Sequence, residues 1–135
     1  MNILLSIKPK YAYAIFNGEK EYEFRKTIFR NRNIKKVYLY ASKPIRKIAG
    51  VFTIAEIIED NPKRIWEKCW SKSGINKEKF FNYFKGCKKG YAIKISELQI
   101  LENPIDPKTL KSDFVPPQSF CYFDIDIPSN LKVHK

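Results

Sequence analysis

Residues 18–26, Gly18-Glu19-Lys20-Glu21-Tyr22-Glu23-Phe24-Arg25-Lys26 (GEKEYEFRK), hold six charged side chains of mixed sign and two aromatics in nine positions. A helical pattern precedes this stretch and a basic loop follows it. Pro9 fits the first turn of a helix, Tyr11 and Ile15 repeat at i, i+4 with Ala12 and Phe16 beside them, and Gly18 after Asn17 is a helix stop. From Tyr22 the pattern changes to period 2. Tyr22 and Phe24 alternate with Glu21, Glu23 and Arg25, which predicts a strand with one dry face and one polar face. Glu23 and Arg25 then leave the same face about 6–7 Å apart at the backbone. Lys20, at the helix-to-strand corner, can turn toward them. A carboxylate between two cations ionises readily and fixes both partners. It can accept from an amino or imino group of a base, while Lys and Arg hold phosphate or carbonyl oxygen. On spacing alone the trio is equally well a solvated ion-pair network worth under about 1 kcal/mol.

Working outward, Ile3–Ile7 reads as a strand before the helix. Lys35–Ser42 (KKVYLYAS) and Lys47–Ile58 (KIAGVFTIAEII) are the strongest strands, rich in β-branched and aromatic residues. Asn61-Pro62 starts a helix to about Ser71, with Ile65, Trp66 and Cys69 on its apolar face. Asn76 caps a further helix that Gly86 ends. Gly90–Leu101 and Phe120–Ile127 complete the strands. Five to six strands with helices inserted in two places predict an α+β small mixed β-barrel and not a βαβ array. The aromatics of 62–88 fall at helical spacing and belong in a core sooner than on a base-stacking platform.

The chain of 135 residues is one domain by length, with a core over about 2–127 and a tail at 128–135. Its hydrophobic fraction of 44% argues against disorder. No apolar run approaches the roughly 18 residues of a membrane span, and the N-terminus lacks the charge pattern of a signal peptide. Three scattered cysteines fit neither a disulfide framework nor zinc spacing, so a reduced, cytoplasmic setting is expected. No metal and no cofactor is expected, because no phosphate-cradling glycine loop, metal-ligand cluster or usable histidine is present. The formal charge of +12 is uneven: residues 1–50 carry 12 Lys/Arg against 3 Glu. That half points to a polyanion, nucleic acid first, with Arg30, Arg32, Lys35 and Lys36 as a basic surface. Oligomeric state is not legible.

The run Leu4–Lys26 (LLSIKPKYAYAIFNGEKEYEFRK) resembles the opening of the ASCH domain family, in the PUA-like superfamily. The family signature G-x-K-x-x-E-x-R is met by Gly18, Lys20, Glu23 and Arg25. SIKP (6–9), YAS (40–42) and VPPQSF (115–120) are similar to that group as well, so the resemblance covers about residues 2–123. It implies a PUA-like β-barrel with a cleft beside the first helix, lined by the signature residues and binding RNA or a modified nucleotide. Lys8, at the helix N-terminus, Ser42, and Gln118 and Ser119 behind the stiff Pro116-Pro117 pair are candidates for the same cleft. Gln118 and Ser119 are equally a plain turn.

The rival class is a hydrolase in which Lys20 and Glu23 are catalytic. Some ASCH-like members are amidohydrolases that deacylate modified cytidine with the signature Lys, a Thr and a distant Glu. Lys20 matches, but Glu23 stands in place of the Thr. The distant Glu belongs near Ser73–Asn76 (SGIN), with only Glu67 and Glu78 nearby. Other members are proposed ribonucleases. Two expectations follow from placing the trio at the surface. Ala at Lys20, Glu23 or Arg25 should barely affect folding, whereas Ala at Tyr22 or Phe24 should cost roughly 3 kcal/mol or more. Glu23 should also outweigh burial and keep the Lys20 pKa up.

Overall fold

The structure, a computed structural model, describes residues 1–127 and the backbone of 132–134. In chain order the elements are β1 (Asn2–Ile7), α1 (Pro9–Phe16), β2 (Tyr22–Arg25), β3 (Lys36–Ala41), β4 (Lys47–Asp60), α2 (Pro62–Cys69), α3 (Lys77–Tyr83), β5 (Gly90–Ile105), β6 (Phe120–Tyr122) and β7 (Lys132–His134). Short 3-10 turns follow α2, at Trp70–Lys72, and β5, at Pro107–Thr109. The helices start as the sequence predicts. Pro9 opens α1, and the Asn61 and Asn76 side chains accept from the third N–H of α2 and α3.

One sheet holds all the strands in the order β2-β5-β4-β3-β1-β6, with β7 paired to β5. The central β1/β3 pair is parallel, and every other pairing is antiparallel. Ser6 on β1 and Arg25 on β2 lie near opposite ends of that order. Yet Arg25 Nη2 donates to the Ser6 carbonyl at 2.9 Å. The sheet is therefore curled until its two ends meet, the PUA-like arrangement of a partly open barrel.

β1 is buried on both faces, which explains the consecutive apolar residues Ile3, Leu4 and Leu5. Ile3, Leu5 and Ile7 join Ile15, Phe29, Leu39 and Phe52 inside the curl. Leu4 packs outward with Tyr38, Tyr40, Phe114 and Phe123. A third cluster seats α2 and α3 on the outer end of the sheet through Phe24, Ile65, Cys69, Phe80 and Phe84. The aromatics of 62–88 are thus largely core, as their spacing predicts, although Trp70 and Tyr83 are exposed.

Some boundaries differ from the sequence reading. β5 continues past Leu101 to Ile105, kept in register with β4 through bulges, with Glu97 at φ 48°. The last strand stops at Tyr122 because the following chain turns to side-chain partners. Asn2 Nδ2 donates to Asp126, and the Ile127 N–H donates to the Tyr38 hydroxyl. His134, assigned to a tail, belongs to a short strand paired with β5. The tail's remaining residues lie outside the described ones.

Candidate functional site

β1 and β3 run side by side toward the same end of the sheet, so residues just past their C-terminal ends share one surface. A cleft of about 980 Å³ opens there, between the start of α1, the 40–46 segment, α3 and the 116–119 loop. That is the upper range of small-ligand sites. Lys20, Glu23 and Arg25 form its floor.

The corner that delivers Lys20 is tightly specified. Gly18 takes φ +88°, its N–H donates to the Ile15 carbonyl, and the Lys20 N–H reaches back to Ala14 at 3.0 Å. Gly18 is itself exposed and outside the cleft lining, so its part is to shape the turn. Across from Lys20 the chain passes close at Gly74. A Cβ built there would sit 2.4 Å from the Lys20 Cβ, and Gly74 holds φ +65°. This approach pairs Lys20 with Ser73 in an isolated antiparallel bridge and brings the Ser73 carbonyl to 2.9 Å from Lys20 Nζ. The segment in which the resemblance places a distant carboxylate therefore does meet Lys20, but it presents a backbone carbonyl. Glu67 and Glu78 are exposed and line no part of the cleft.

The trio is buried, which corrects the surface placement inferred from strand periodicity. Lys20 is 3% exposed, Glu23 6% and Arg25 8%. β2 has no wet face. Phe24 packs edge-on against Phe80, with ring centroids 5.0 Å apart, while Glu23 and Arg25 bury on the opposite side. Burial is tolerated because Glu23 offsets one of the two cations and hydrogen bonds serve the rest. Glu23 Oε2 lies 2.6 Å from Arg25 Nη2, and Glu23 Oε1 lies 3.6 Å from Lys20 Nζ. Arg25 also donates from Nη1 to the Ser119 carbonyl at 3.3 Å and to Ser119 Oγ at 3.1 Å. Together with its bond to Ser6, these contacts tie β2 to β1 and to the entry of β6. Arg25 Nε has no acceptor. The Ala substitutions at these three residues consequently cannot be neutral for folding.

Lys20 Nζ also stands over the Phe24 ring at 4.5 Å and the Tyr11 ring at 5.5 Å from their centroids. Its pKa is nonetheless lowered. Burial is the largest cause, Glu23 opposes it, and Arg25 adds to the lowering. The expectation that Glu23 would prevail over burial is thus reversed, because the side chain is nearly sealed from water.

Lys8, Ser42, Gln118 and Ser119 all line the cleft beside the trio. Arg30, Arg32, Lys35 and Lys36 do not. Lys36 pairs in register with Asn2 at the start of β1, and the cleft lies beyond Ile7 and Ala41. Five steps of strand, about 17 Å, separate the two ends. Lys36 instead lies 3.9 Å from Asp126. Sequence reasoning missed Tyr11, Lys10, Lys43, Arg46 and Lys79, and it set Tyr83 in the core with the other aromatics of 62–88; all six line the cleft. Lys10 and Tyr11 directly follow the SIKP motif, and Lys43 directly follows YAS, so adjacency to those motifs was a usable signal. Nothing local marks Lys79 on α3 or separates Tyr83 from the core aromatics around it, because only the tertiary docking of α3 brings them in. Among the described residues no group of three or more His, Cys, Asp or Glu side chains could hold a metal ion, and no helix is long and apolar enough to cross a membrane.

Comparison with known proteins agrees with this geometry. Residues 1–112 match a family described as Domain of unknown function (DUF365). The chain belongs to this family. Its domain is of the ASCH type: it is 26% identical over 125 residues to a protein of Zymomonas mobilis named ASCH domain-containing ribonuclease, covering 88% of this chain and 82% of that one. The crystal structure of ASCH from the same organism superimposes with a TM-score of 0.83 at 25% identity, over 90% of this chain and 87% of that one. A second similarity, 30% identity over 105 residues, is to large ribosomal subunit protein uL22 of Ureaplasma parvum serovar 3. It takes in 77% of this chain and 33% of that protein.

Proposed function

We propose that the cleft of this ASCH-type domain binds a nucleotide, alone or within RNA, and that Lys20, Glu23 and Arg25 recognise it from the floor. One observation carries the reading: a buried trio of net charge +1 lies under a cleft in which, among the described residues, Glu23 is the sole carboxylate. An uncompensated charge in a low-dielectric site is costly, and an anionic or carbonyl-rich ligand offsets that cost. Lys20 spends one N–H on Ser73 and points another toward Glu23, which leaves a third for a ligand oxygen. Ser119 Oγ accepts from Arg25, so its own proton is free to donate. The Gln118 amide and the Ser42 hydroxyl add donors and acceptors suited to a base edge. The Tyr11 and Tyr83 rings offer stacking faces. The name of the Zymomonas relative supports an RNA-related role.

A second reading, hydrolysis of RNA, is favoured by the lowered pKa of Lys20. A more accessible neutral amine is what a general base acting on a ribose 2′-hydroxyl would need.

The test is titration of short single-stranded RNAs into the protein and into Lys20→Met, followed by NMR, with the RNA recovered and sized afterwards. Binding that Lys20→Met weakens at least tenfold, with RNA intact, is the expected result. Lys20-dependent cleavage would make the hydrolase reading primary. Absence of binding at low salt, or equal binding by Lys20→Met, would end the cleft reading.

A further inference from the structure

Five cations line the cleft above the trio: Lys8 and Lys10 where α1 begins, Lys43 and Arg46 after β3, and Lys79 on α3. Among the described residues none of the five pairs with a carboxylate; other surface cations are unpaired too, and what sets these five apart is that they converge on one cleft. Three separate chain segments thus aim unneutralised positive charge into one opening. Such an arrangement costs self-repulsion in the free protein.

Lys10 and Lys79 are the pair contributed by the two helices. They line the same opening from opposite elements, and Lys79 is the largest cause that holds Lys10 below its usual pKa, with burial and then the charge of Lys8 adding to the effect. Two ammonium groups cannot satisfy each other, since each has only protons to offer. An oxyanion placed between them accepts from both and removes the repulsion. The Tyr11 ring orders the cleft from mouth to floor. Lys10 Nζ lies 5.1 Å from its centroid and Lys20 Nζ lies 5.5 Å from it. Mouth and floor are therefore within the reach of a single nucleotide. Arg46, at φ 56°, holds a backbone conformation uncommon for a side chain of its size, and it lines the same opening.

We propose that Lys10 and Lys79 form a phosphate subsite bridging α1 and α3, flanked by Lys8, Lys43 and Arg46, so that the ligand is a phosphorylated nucleoside with its base toward Lys20, Glu23 and Arg25. This rests on the nucleotide reading above and narrows it: a free nucleoside, modified or not, lacks the group that the mouth is built to hold. The phosphate is either the monoester of a mononucleotide or the diester of an RNA strand, since both present oxyanions to the same pair.

The experiment compares the full chain with the Lys10→Gln/Lys79→Gln double variant. Calorimetry measures binding of the four ribonucleosides, their 5′-monophosphates and a dinucleoside monophosphate. The expected result is that phosphorylated ligands bind the unmodified protein at least tenfold tighter than nucleosides. The double variant should lose that gap while keeping its nucleoside affinity. Its melting temperature without ligand should be equal or higher, because a repulsive pair has been removed. Tighter binding of the monoester than of the dinucleoside monophosphate assigns the subsite to a mononucleotide, and the reverse order assigns it to RNA. Equal affinity for nucleosides and nucleotides, or a gap that survives the double substitution, overturns the subsite and leaves the nucleotide reading standing. If none of the compounds binds, both fall. A lower melting temperature in the double variant would make the pair structural and overturn the subsite as well.

Discussion

Arg25→Ala is the substitution that most sharply separates a surface trio from a buried one. The side chain is 9% exposed and makes an ion pair at 2.6 Å with Glu23. It also makes three hydrogen bonds, to the Ser6 carbonyl, the Ser119 carbonyl and Ser119 Oγ. Removing it leaves the Glu23 carboxylate buried with Lys20 at 3.6 Å as its remaining cation. It also strips donors from two main-chain carbonyls at the seam of the curled sheet. Breaking a buried pair from one side costs about 3–5 kcal/mol, a large part of the 5–15 kcal/mol typical of a domain. Urea unfolding followed by Trp66 fluorescence reads this directly, since Trp66 packs on Phe80 and Phe81 while Trp70 is largely in solvent. The midpoint should fall by about 2 M at unchanged slope. Arg25→Lys should recover only part of the loss, because one ammonium cannot span the positions that the guanidinium fork reaches. A loss under about 1 kcal/mol, the value of an exposed ion pair, would refute the reading of Arg25 as the buried tie between β2, β1 and β6.

Gly74→Ala should destabilise by about 2 kcal/mol, from the left-handed backbone and the contact with Lys20 together. Lys20→Met should not relieve that loss, because Met keeps the Cβ and Cγ that are struck; rescue in a double-variant thermal melt would show the contact to be misassigned. Lys20 should also leave a signature in stability against pH. Its folded pKa is lowered from 10.5, so between that lowered value and 10.5 the unfolded chain binds more protons and stability rises with pH. The unfolding free energy of the unmodified protein minus that of Lys20→Met should therefore increase through this alkaline window, the shared tyrosine titrations cancelling. A flat or falling difference would mean that burial does not dominate at Lys20.

Much of the fold was legible because its signals are local. Pro9, Asn61 and Asn76 mark helix starts by the chemistry of the first turn, and Gly18 marks the corner through its positive φ. The strands of residues 35–58 declare themselves through β-branched and aromatic runs. The end of β6 was not legible. Whether Phe123–Ile127 continues a strand depends on Asn2 and Tyr38, which are distant in sequence and capture its polar groups. The curl of the sheet was equally hidden, because the bond that reports it joins Arg25 to Ser6 and Ser119, and no spacing rule links those positions.

The site shows where period-2 reasoning reaches its limit. Alternation in 21–25 correctly separates Phe24 from Glu23 and Arg25, but it equates the polar face with the wet one. That equation fails when polar side chains satisfy each other and nearby carbonyls, which is the arrangement on β2. Burial then does two things at once. It gives Arg25 a structural duty at the seam, and it lowers the pKa of Lys20 against the pull of Glu23. Arg25 cannot leave the seam to follow a ligand without opening the sheet. Glu23 is held by Arg25. Lys20, with an N–H uncommitted within the protein and a lowered pKa, is the member of the trio outside the seam. The division of labour that follows is a Glu23–Arg25 brace that holds the seam and one lysine beside it outside the seam; in the proposed nucleotide reading, the unpaired cations at the mouth set the charge of what is admitted.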